Sequence, residues 1–234
     1  MTNEEIRGLF CLDKAHFAMI DYALSGESTK ILYADKDGLL LTRNGIDMIY
    51  GATDEGVAER VLRLLPHTDM IVCSSQTEVS ALKKVFPEIK TAKPCYQVRY
   101  EFAAEKPPIA GAEIRPLPYT EENADAIFAT YSLGYDRDSI VNLLKTERFF
   151  GAYLNGKLAG YIGRHEEGSI GLLEVFPDAR GTGLGSALLC AAVKDVLSHG
   201  EIAYSNIITT NEASLKLHAK LGYFPSDKLV YWCY

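Results

Sequence analysis

The sequence predicts an α/β (α+β) chain in which mixed, mostly antiparallel sheets are flanked by helices, arranged as a tandem of two such domains. Three observations carry this. The order helices, three meandering strands, helix, strand, helix, strand occurs twice. Each half holds a tight Asn-Gly turn, Asn44-Gly45 and Asn155-Gly156, the strongest short-range signal for a hairpin. Between the halves runs Glu105-Lys106-Pro107-Pro108-Ile109-Ala110-Gly111, whose paired prolines forbid regular structure and read as a linker over 105–111. Residue identity between the halves is slight, so the repeat is one of structure.

In the first domain, 1–104, residues 3 to 25 read as helical, with Ala15, Ala18, Met19 and Tyr22 at helical spacing and Gly26 as the stop. Short strands follow at 31–34, 39–42 and 46–50, joined by Asp35-Lys36-Asp37-Gly38 and by Asn44-Gly45. Residues 54–65 form an amphipathic helix with Val57, Val61, Leu62 and Leu65 on one face. A buried strand at 70–73, a helix at 76–86 and an alternating strand at 96–102 complete the half.

The second domain, 112–234, opens with a strand at 113–117 and helices at 121–131 and 136–144. Strands at 149–154 and 158–164 make a hairpin about Asn155-Gly156, and His165-Glu166-Glu167-Gly168 turns the chain into a strand at 172–176. A long helix runs to about Ser198. Its stripe of Leu184, Leu188, Leu189, Val193, Val196 and Leu197 marks a buried face. A strand at 204–208, a helix at 211–221 and a last strand at 223–232 follow.

Composition narrows the function. Hydrophobic residues make up 47% of the 234, enough for a core, and charged residues 24%. A net charge of -7 argues against a sequence-independent grip on nucleic acid, which needs a basic face. The five cysteines, Cys11, Cys73, Cys95, Cys190 and Cys233, form no CxxC and no metal spacing, so reduced thiols in a cytoplasmic protein are expected. His16 and His67 have no ligand partner at useful spacing, and no metal is expected. The start MTNEEIRGLF lacks a signal-peptide core, and no apolar run is long enough for a bilayer, so no membrane role is expected. Nothing here fixes an oligomeric state.

The chemistry gathers at Leu172–Leu189, LLEVFPDARGTGLGSALL. A short apolar strand ends at Pro177, which cannot donate to a ladder. Arg180-Gly181-Thr182-Gly183-Leu184-Gly185-Ser186 then opens a helix, with three glycines at alternate positions. The first N–H groups of a helix have no internal partner and lie at the positive end of its dipole. Bare amides beside Arg180 make an anion seat of phosphate size. A P-loop would need Gly-Lys-Ser/Thr, which is missing, and a dinucleotide fingerprint has other glycine spacing and a parallel βαβ opening. A ligand-free tight turn would need only one glycine.

The run Val175-x-Pro177-x-x-Arg180-Gly181-x-Gly183-x-Gly185 closely resembles the acyl-CoA motif of the GNAT N-acetyltransferase superfamily. The resemblance implies the GNAT acyl-CoA N-acyltransferase fold for the second domain. It implies acetyl-CoA as cosubstrate, held by Val175, Phe176, Arg180, Gly181, Thr182, Gly183, Leu184, Gly185 and Ser186. The strand's backbone N–H, at Val175 or a neighbour, would polarise the thioester carbonyl. Asn211 to Tyr223, NEASLKLHAKLGY, is similar to the family's second signature. Asn211 caps that helix and by resemblance reaches the pantetheine arm. His218 stands where the family often has a tyrosine that gives a proton to the CoA sulfur; an imidazole can also donate, or it can be a hydrogen-bonded core residue. Glu174 lies in an otherwise apolar strand and is the first candidate base, its burial expected to raise its pKa. The alternatives are a carboxylate bonded to a nearby tyrosine or arginine, or one turned to solvent. Asn206 stands where relatives sometimes carry a glutamate base and cannot serve as one. His165, Glu166 and Glu167 read as a polar turn, Cys190 as packing, and Tyr131, Tyr135, Tyr153 and Tyr161 as core or acceptor-pocket lining.

The first half resembles a degenerate GNAT domain; the alternative is an unrelated α/β domain. Its matching junction reads Gly51-Ala52-Thr53-Asp54-Glu55-Gly56, with acids where a phosphate would go and no arginine, so one CoA per chain is expected. The expected activity is transfer of an acetyl group from acetyl-CoA to a primary amine of a small molecule or amino acid, by direct attack in a ternary complex. The rival expectation is a non-catalytic CoA- or metabolite-binding regulatory protein.

Overall fold

The computed structural model describes residues 1–106, 108–131 and 134–234; Pro107, part of the expected linker, lies outside the described residues. In chain order the elements are α1 (Asn3–Phe10), α2 (Ala18–Leu24), β1 (Lys30–Asp35), β2 (Gly38–Arg43), β3 (Ile46–Tyr50), α3 (Glu55–Leu62), β4 (Ile71–Cys73), α4 (Gln76–Val85) and β5 (Ala92–Arg99). They continue as β6 (Ala112–Pro116), α5 (Glu121–Thr130), α6 (Arg137–Leu144), β7 (Phe150–Leu154), β8 (Lys157–Arg164), β9 (Ile170–Val175), a 3-10 turn (Pro177–Ala179), α7 (Leu184–Ser198), β10 (Tyr204–Ile208), α8 (Glu212–Lys220) and β11 (Leu229–Cys233). Two compact units result. The first holds Met1–Arg99, Asn206–Leu215 and Phe224–Tyr234, the second Tyr100–Ser205 and Lys216–Tyr223.

In the first unit the helix expected over 3–25 is two helices. Thr2 and Glu5 cap the start of α1 reciprocally. Asp13 then breaks the path, because its Oδ1 accepts the N–H groups of both Ala15 and His16, an Asx turn that competes with helical bonding. The sheet order is β1-β2-β3-β4-β11-β5-β10. β3 and β4 run parallel, and β11 is antiparallel to both of its neighbours, β4 and β5. The last strand of the chain therefore completes the sheet of the first unit. Its register, Leu229↔Tyr96 to Cys233↔Ala92, also explains why β5 begins at Ala92 and not at Tyr96. Leu40, Ile49, Val61, Leu62, Ile71 and Leu82 anchor the core between this sheet and α3 and α4.

His16 is buried in this unit. Its Nε2 faces two carbonyl oxygens, Ser74 O at 3.1 Å and Leu229 O at 3.2 Å, so Nε2 carries the proton. Nδ1 then accepts from the Tyr50 hydroxyl at 2.9 Å. Burial pushes the His16 pKa below its ordinary 6.5, although the two carbonyls and Asp13 favour the charged form. The unfolded chain therefore binds this proton more readily, and the stability from a neutral His16 is present above pH 6.5 and lost as pH falls below it. Thermal unfolding between pH 7 and pH 5 is expected to show a larger acid loss in the wild type than in His16→Gln. Equal losses would contradict the assignment.

In the second unit β6-β7-β8-β9 form an antiparallel meander. Asn155 (φ 50°) and Gly156 (φ 80°) are both left-handed, as a two-residue hairpin turn with matching twist requires. α5 and α6 cover one face through Ile127, Ile140, Leu143, Leu144, Phe149 and Tyr161, and α7 packs along β6 to β9. β9 carries a bulge. Tyr161 pairs with Glu174 and Gly163 with Gly171, which leaves Leu172 and Leu173 facing Ile162 alone. Leu172 absorbs the extra residue with a φ of 46°, rare for a branched side chain. Among the described residues no helix is long and apolar enough to cross a membrane.

Candidate functional site

The chain leaves β9 at Val175, makes the Pro177–Ala179 turn and enters α7. Gly181 (φ 79°) and Gly183 (φ 93°) hold conformations that side chains rarely adopt, and they are what lets the backbone fold back into the helix start. Gly183 is the N-cap of α7, and no side chain caps it. The leading amides of a 15-residue helix are thus left without a side-chain acceptor. A Cβ on Gly181 would meet nothing within 4 Å, and one on Gly185 would just touch Val175 and Leu217, so the entrance is lined by bare backbone. Leu184 and Ser186 are buried, so they offer backbone and not side chain. The Thr182 hydroxyl donates to Ala179 O at 2.6 Å and steadies the turn. The matching helix of the first unit is closed: Asp54 caps α3, its carboxylate accepting from Val57 N at 2.9 Å.

Of the readings left open for Glu174, the structure gives the carboxylate bonded to a nearby arginine. It is half-buried and paired with Arg180, Nη2 to Oε1 at 2.9 Å, while Arg180 Nε donates to Val175 O at 3.0 Å. The bulge explains this, since it re-aims the end of the strand and brings Glu174 opposite Tyr161. An ion pair of this exposure contributes about 0–1 kcal/mol, so a doubly charged anion can displace it. β8 lies close to the same segment, because a Cβ on Gly160 would stand 2.6 Å from Glu174 O. On the face that α5 and α6 cover, burial pushes the Tyr161 hydroxyl up to about 12; the bond to Thr130 pulls it back and the Glu174 charge adds to the rise.

His218 is buried on α8, with Nε2 2.7 Å from the Tyr100 hydroxyl. Ser205 Oγ donates to Ile170 O at 2.7 Å, so Tyr100 donates to Ser205 at 2.6 Å and accepts from His218 Nε2. This chain ties α8 to the first residue of β9. Asn211 lies in the first unit, where its Oδ1 accepts from Ser214 N at 3.0 Å and caps α8. Val175, Phe176, Glu174 and Arg180 to Ser186 come together in the second unit. Asn206 pairs with Gln97 in the first. No group of three His, Cys, Asp or Glu among the described residues could hold a metal. The bulge at Leu172 had no sequence signal, because a leucine with positive φ looks like any other strand leucine. His165 reads from the sequence as part of a polar turn, and the structure sets its ring over Gly171 and against Tyr135.

Residues 110–223 match the acetyltransferase (GNAT) family. Residues 110–223 are a GNAT domain. A Drosophila protein from a structural genomics programme resembles the whole chain, with a TM-score of 0.72 at 17% identity over 100% of this chain and 96% of that one. A GNAT-family acetyltransferase from Colwellia psychrerythraea gives 0.56 at 14% identity, covering 99% and 94%. A tandem GNAT protein from the clavulanic acid biosynthesis pathway gives 0.50 at 14% identity, covering 93% and 87%. At these identities the likeness is one of fold, and it makes the N-terminal half GNAT-like as well. No curated protein matches the chain. The match to the GNAT domain encloses the open helix start, the bulged strand and His218.

Proposed function

We propose that the chain is an N-acetyltransferase that moves an acetyl group from acetyl-CoA to the primary amine of a small molecule, an amino acid among the candidates, by direct attack in a ternary complex. One observation carries this reading: the uncapped, glycine-lined start of α7 beside Arg180. It fits a pyrophosphate, since the leading amides and the dipole favour anions there. Arg180, Gly181, Thr182, Gly183, Leu184, Gly185 and Ser186 would hold the diphosphate, and Val175 and Phe176 would meet the arm beyond it. Asn211 is assigned to the arm by resemblance alone. CoA supplies an activated acyl group with a thiolate leaving group.

The protein's own part is to orient and to handle protons. When a pyrophosphate draws Arg180 away, Glu174 is left as a carboxylate beside the bulge, where it can meet the acceptor's nitrogen as a base. The closed start of α3 supports one CoA per chain, with residues 1–104 as the degenerate partner domain. The second reading, a non-catalytic CoA-binding protein, is favoured by His218, whose Nε2 proton is given to Tyr100. Free-thiol release from acetyl-CoA with a panel of amines separates the two. Release that disappears in Glu174→Gln is expected; CoA binding with no release from any amine would leave the second reading.

A further inference from the structure

The α5/α6 face of β9 holds a second proton-accepting group. His165 is the first residue after β8 and is half-buried. A Cβ on Gly171 would lie 2.2 Å from its Nε2 and 2.6 Å from its Cδ2, so the imidazole occupies the space that a side chain at 171 would fill. Gly171 pairs with Gly163 in the ladder, and the bulge begins at the next residue. The ring cannot drift, because Tyr135 stacks on it at 5.8 Å and 24° and its hydroxyl lies 2.8 Å from Nδ1. Nε2 has no hydrogen-bond partner among the described residues. Phe149 fills the matching slot over Gly163, where a Cβ would fall 2.3 Å from its ring. Of the two rings set against bare α-carbons on this face, one is apolar core and the other carries a ring nitrogen that can accept a hydrogen bond.

We propose that His165 is a catalytic residue, whose Nε2 takes the first proton from the acceptor's ammonium group. This rests on the acetyl-transfer reading above. An ammonium must shed two protons to become an amide nitrogen, and one carboxylate cannot hold both. The first goes to Nε2 of His165, with Nδ1–H donating to the Tyr135 oxygen, and passes on to solvent. The neutral nitrogen attacks the thioester carbonyl carbon. The C–N bond forms, the C–S bond breaks with its electron pair on sulfur, and the second nitrogen proton, taken by Glu174, neutralises the thiolate. The products are the amide, CoA thiol and one proton.

About the ring lie Tyr135, which stacks on it, Tyr131 beside Tyr135, and Glu166 and Glu167 on its own turn, whose charges act on Tyr135; Arg164 at the end of β8 is turned to Gly168 O and Glu201, and Glu174 on β9 to Arg180. Tyr131 and Tyr135 are both held above their ordinary range, by burial first and then by these carboxylates and each other or Tyr161, so neither competes as a base.

The test is the pH dependence of acetyl transfer in His165→Gln, whose amide can keep the bond to Tyr135. Turnover is expected to fall about a hundredfold or more, the decline in rate on the acid side of neutrality to vanish, and added imidazole to restore part of the rate. CoA affinity by calorimetry should match the wild type, which also certifies the fold. Tyr135→Phe frees the tautomer and should give a smaller loss with a displaced acid limb. Wild-type turnover and an unchanged pH profile in His165→Gln would overturn the proposal while leaving the acetyl-transfer reading intact. Absence of release by the wild type with every amine would overturn both. Should His165→Gln lose CoA binding, Tyr135→Phe decides: an unmoved pH profile there rejects the role.

Discussion

Gly183→Asp is expected to weaken CoA binding at least a hundredfold, about 2.7 kcal/mol, with the fold retained. The fold survives for reasons visible at the site. A Cβ at this position would lie 3.5 Å from Ile109 Cδ1, an ordinary contact. The φ of 93° disfavours any side chain, at a cost of about 1–2 kcal/mol, and aspartate is among the residues that tolerate left-handed backbone best. Against that cost, an N-cap carboxylate contributes about 0.5–2 kcal/mol by accepting the bare amides. The two nearly cancel in stability and combine in binding, since the carboxylate would occupy the amides and repel the phosphates. The variant would set a carboxylate at the start of α7, as Asp54 does at the start of α3, but on left-handed and not extended backbone. Gly183→Ala, carrying the same backbone strain without the charge, should lose far less. Calorimetric titration with CoA reads both. Unchanged affinity in the aspartate variant would reject the phosphate site.

The second large effect falls on stability. Glu78→Ala is expected to destabilise the protein by about 1–3 kcal/mol for each buried donor it leaves unsatisfied. Glu78 is fully buried, and its carboxylate accepts from the N–H groups of Ala52 (3.0 Å) and Ser75 (3.1 Å), from Ser74 N and from Ser74 Oγ (3.1 Å). It thereby closes the ends of β3 and β4 and forms half of the Ser75 capping box. Alanine would leave those backbone donors unpaired in the interior. Glutamine would turn donors toward donors and should not rescue. Denaturant unfolding measures the loss, and a change under 1 kcal/mol would contradict the role. Burial raises the Glu78 carboxyl from 4.5 to about 7, against the pull of its hydrogen bonds. Since the folded state then holds the proton more tightly, this contribution declines as pH rises from about 4.5 to about 7. That is opposite in sign to His16, which is why the His16 test compares slopes between variant and wild type.

Much of this was legible in the residues. Asn44-Gly45 and Asn155-Gly156 place two hairpins because they are among the few pairs that accept left-handed backbone at adjacent positions. The glycine spacing from Gly181 to Gly185 reveals the open helix start for the same reason. Pairing partners were less legible. Alternation in 229–233 marks a strand and its faces but not its neighbours, so nothing local announces that β11 joins β4 and β5. Asp13 reads as one polar residue in a helical stretch until its carboxylate is seen holding two amides. The residues leave Glu174 open between a base and an arginine-bonded carboxylate, because the bulge that turns it toward Arg180 is a backbone event.

The place of β11 sets a schedule for the growing polypeptide. β4 and β5 leave the ribosome well before the strand that separates them, since β5 ends at Arg99 and β11 begins only at Leu229. At roughly 5–20 residues per second, both edges stand open for on the order of ten seconds. Open strand edges template pairing with other chains. A nascent fragment halted before Leu229 would be a sticky species that needs chaperone shelter, and severing the gene at the linker would yield two pieces with the first one's sheet unfinished.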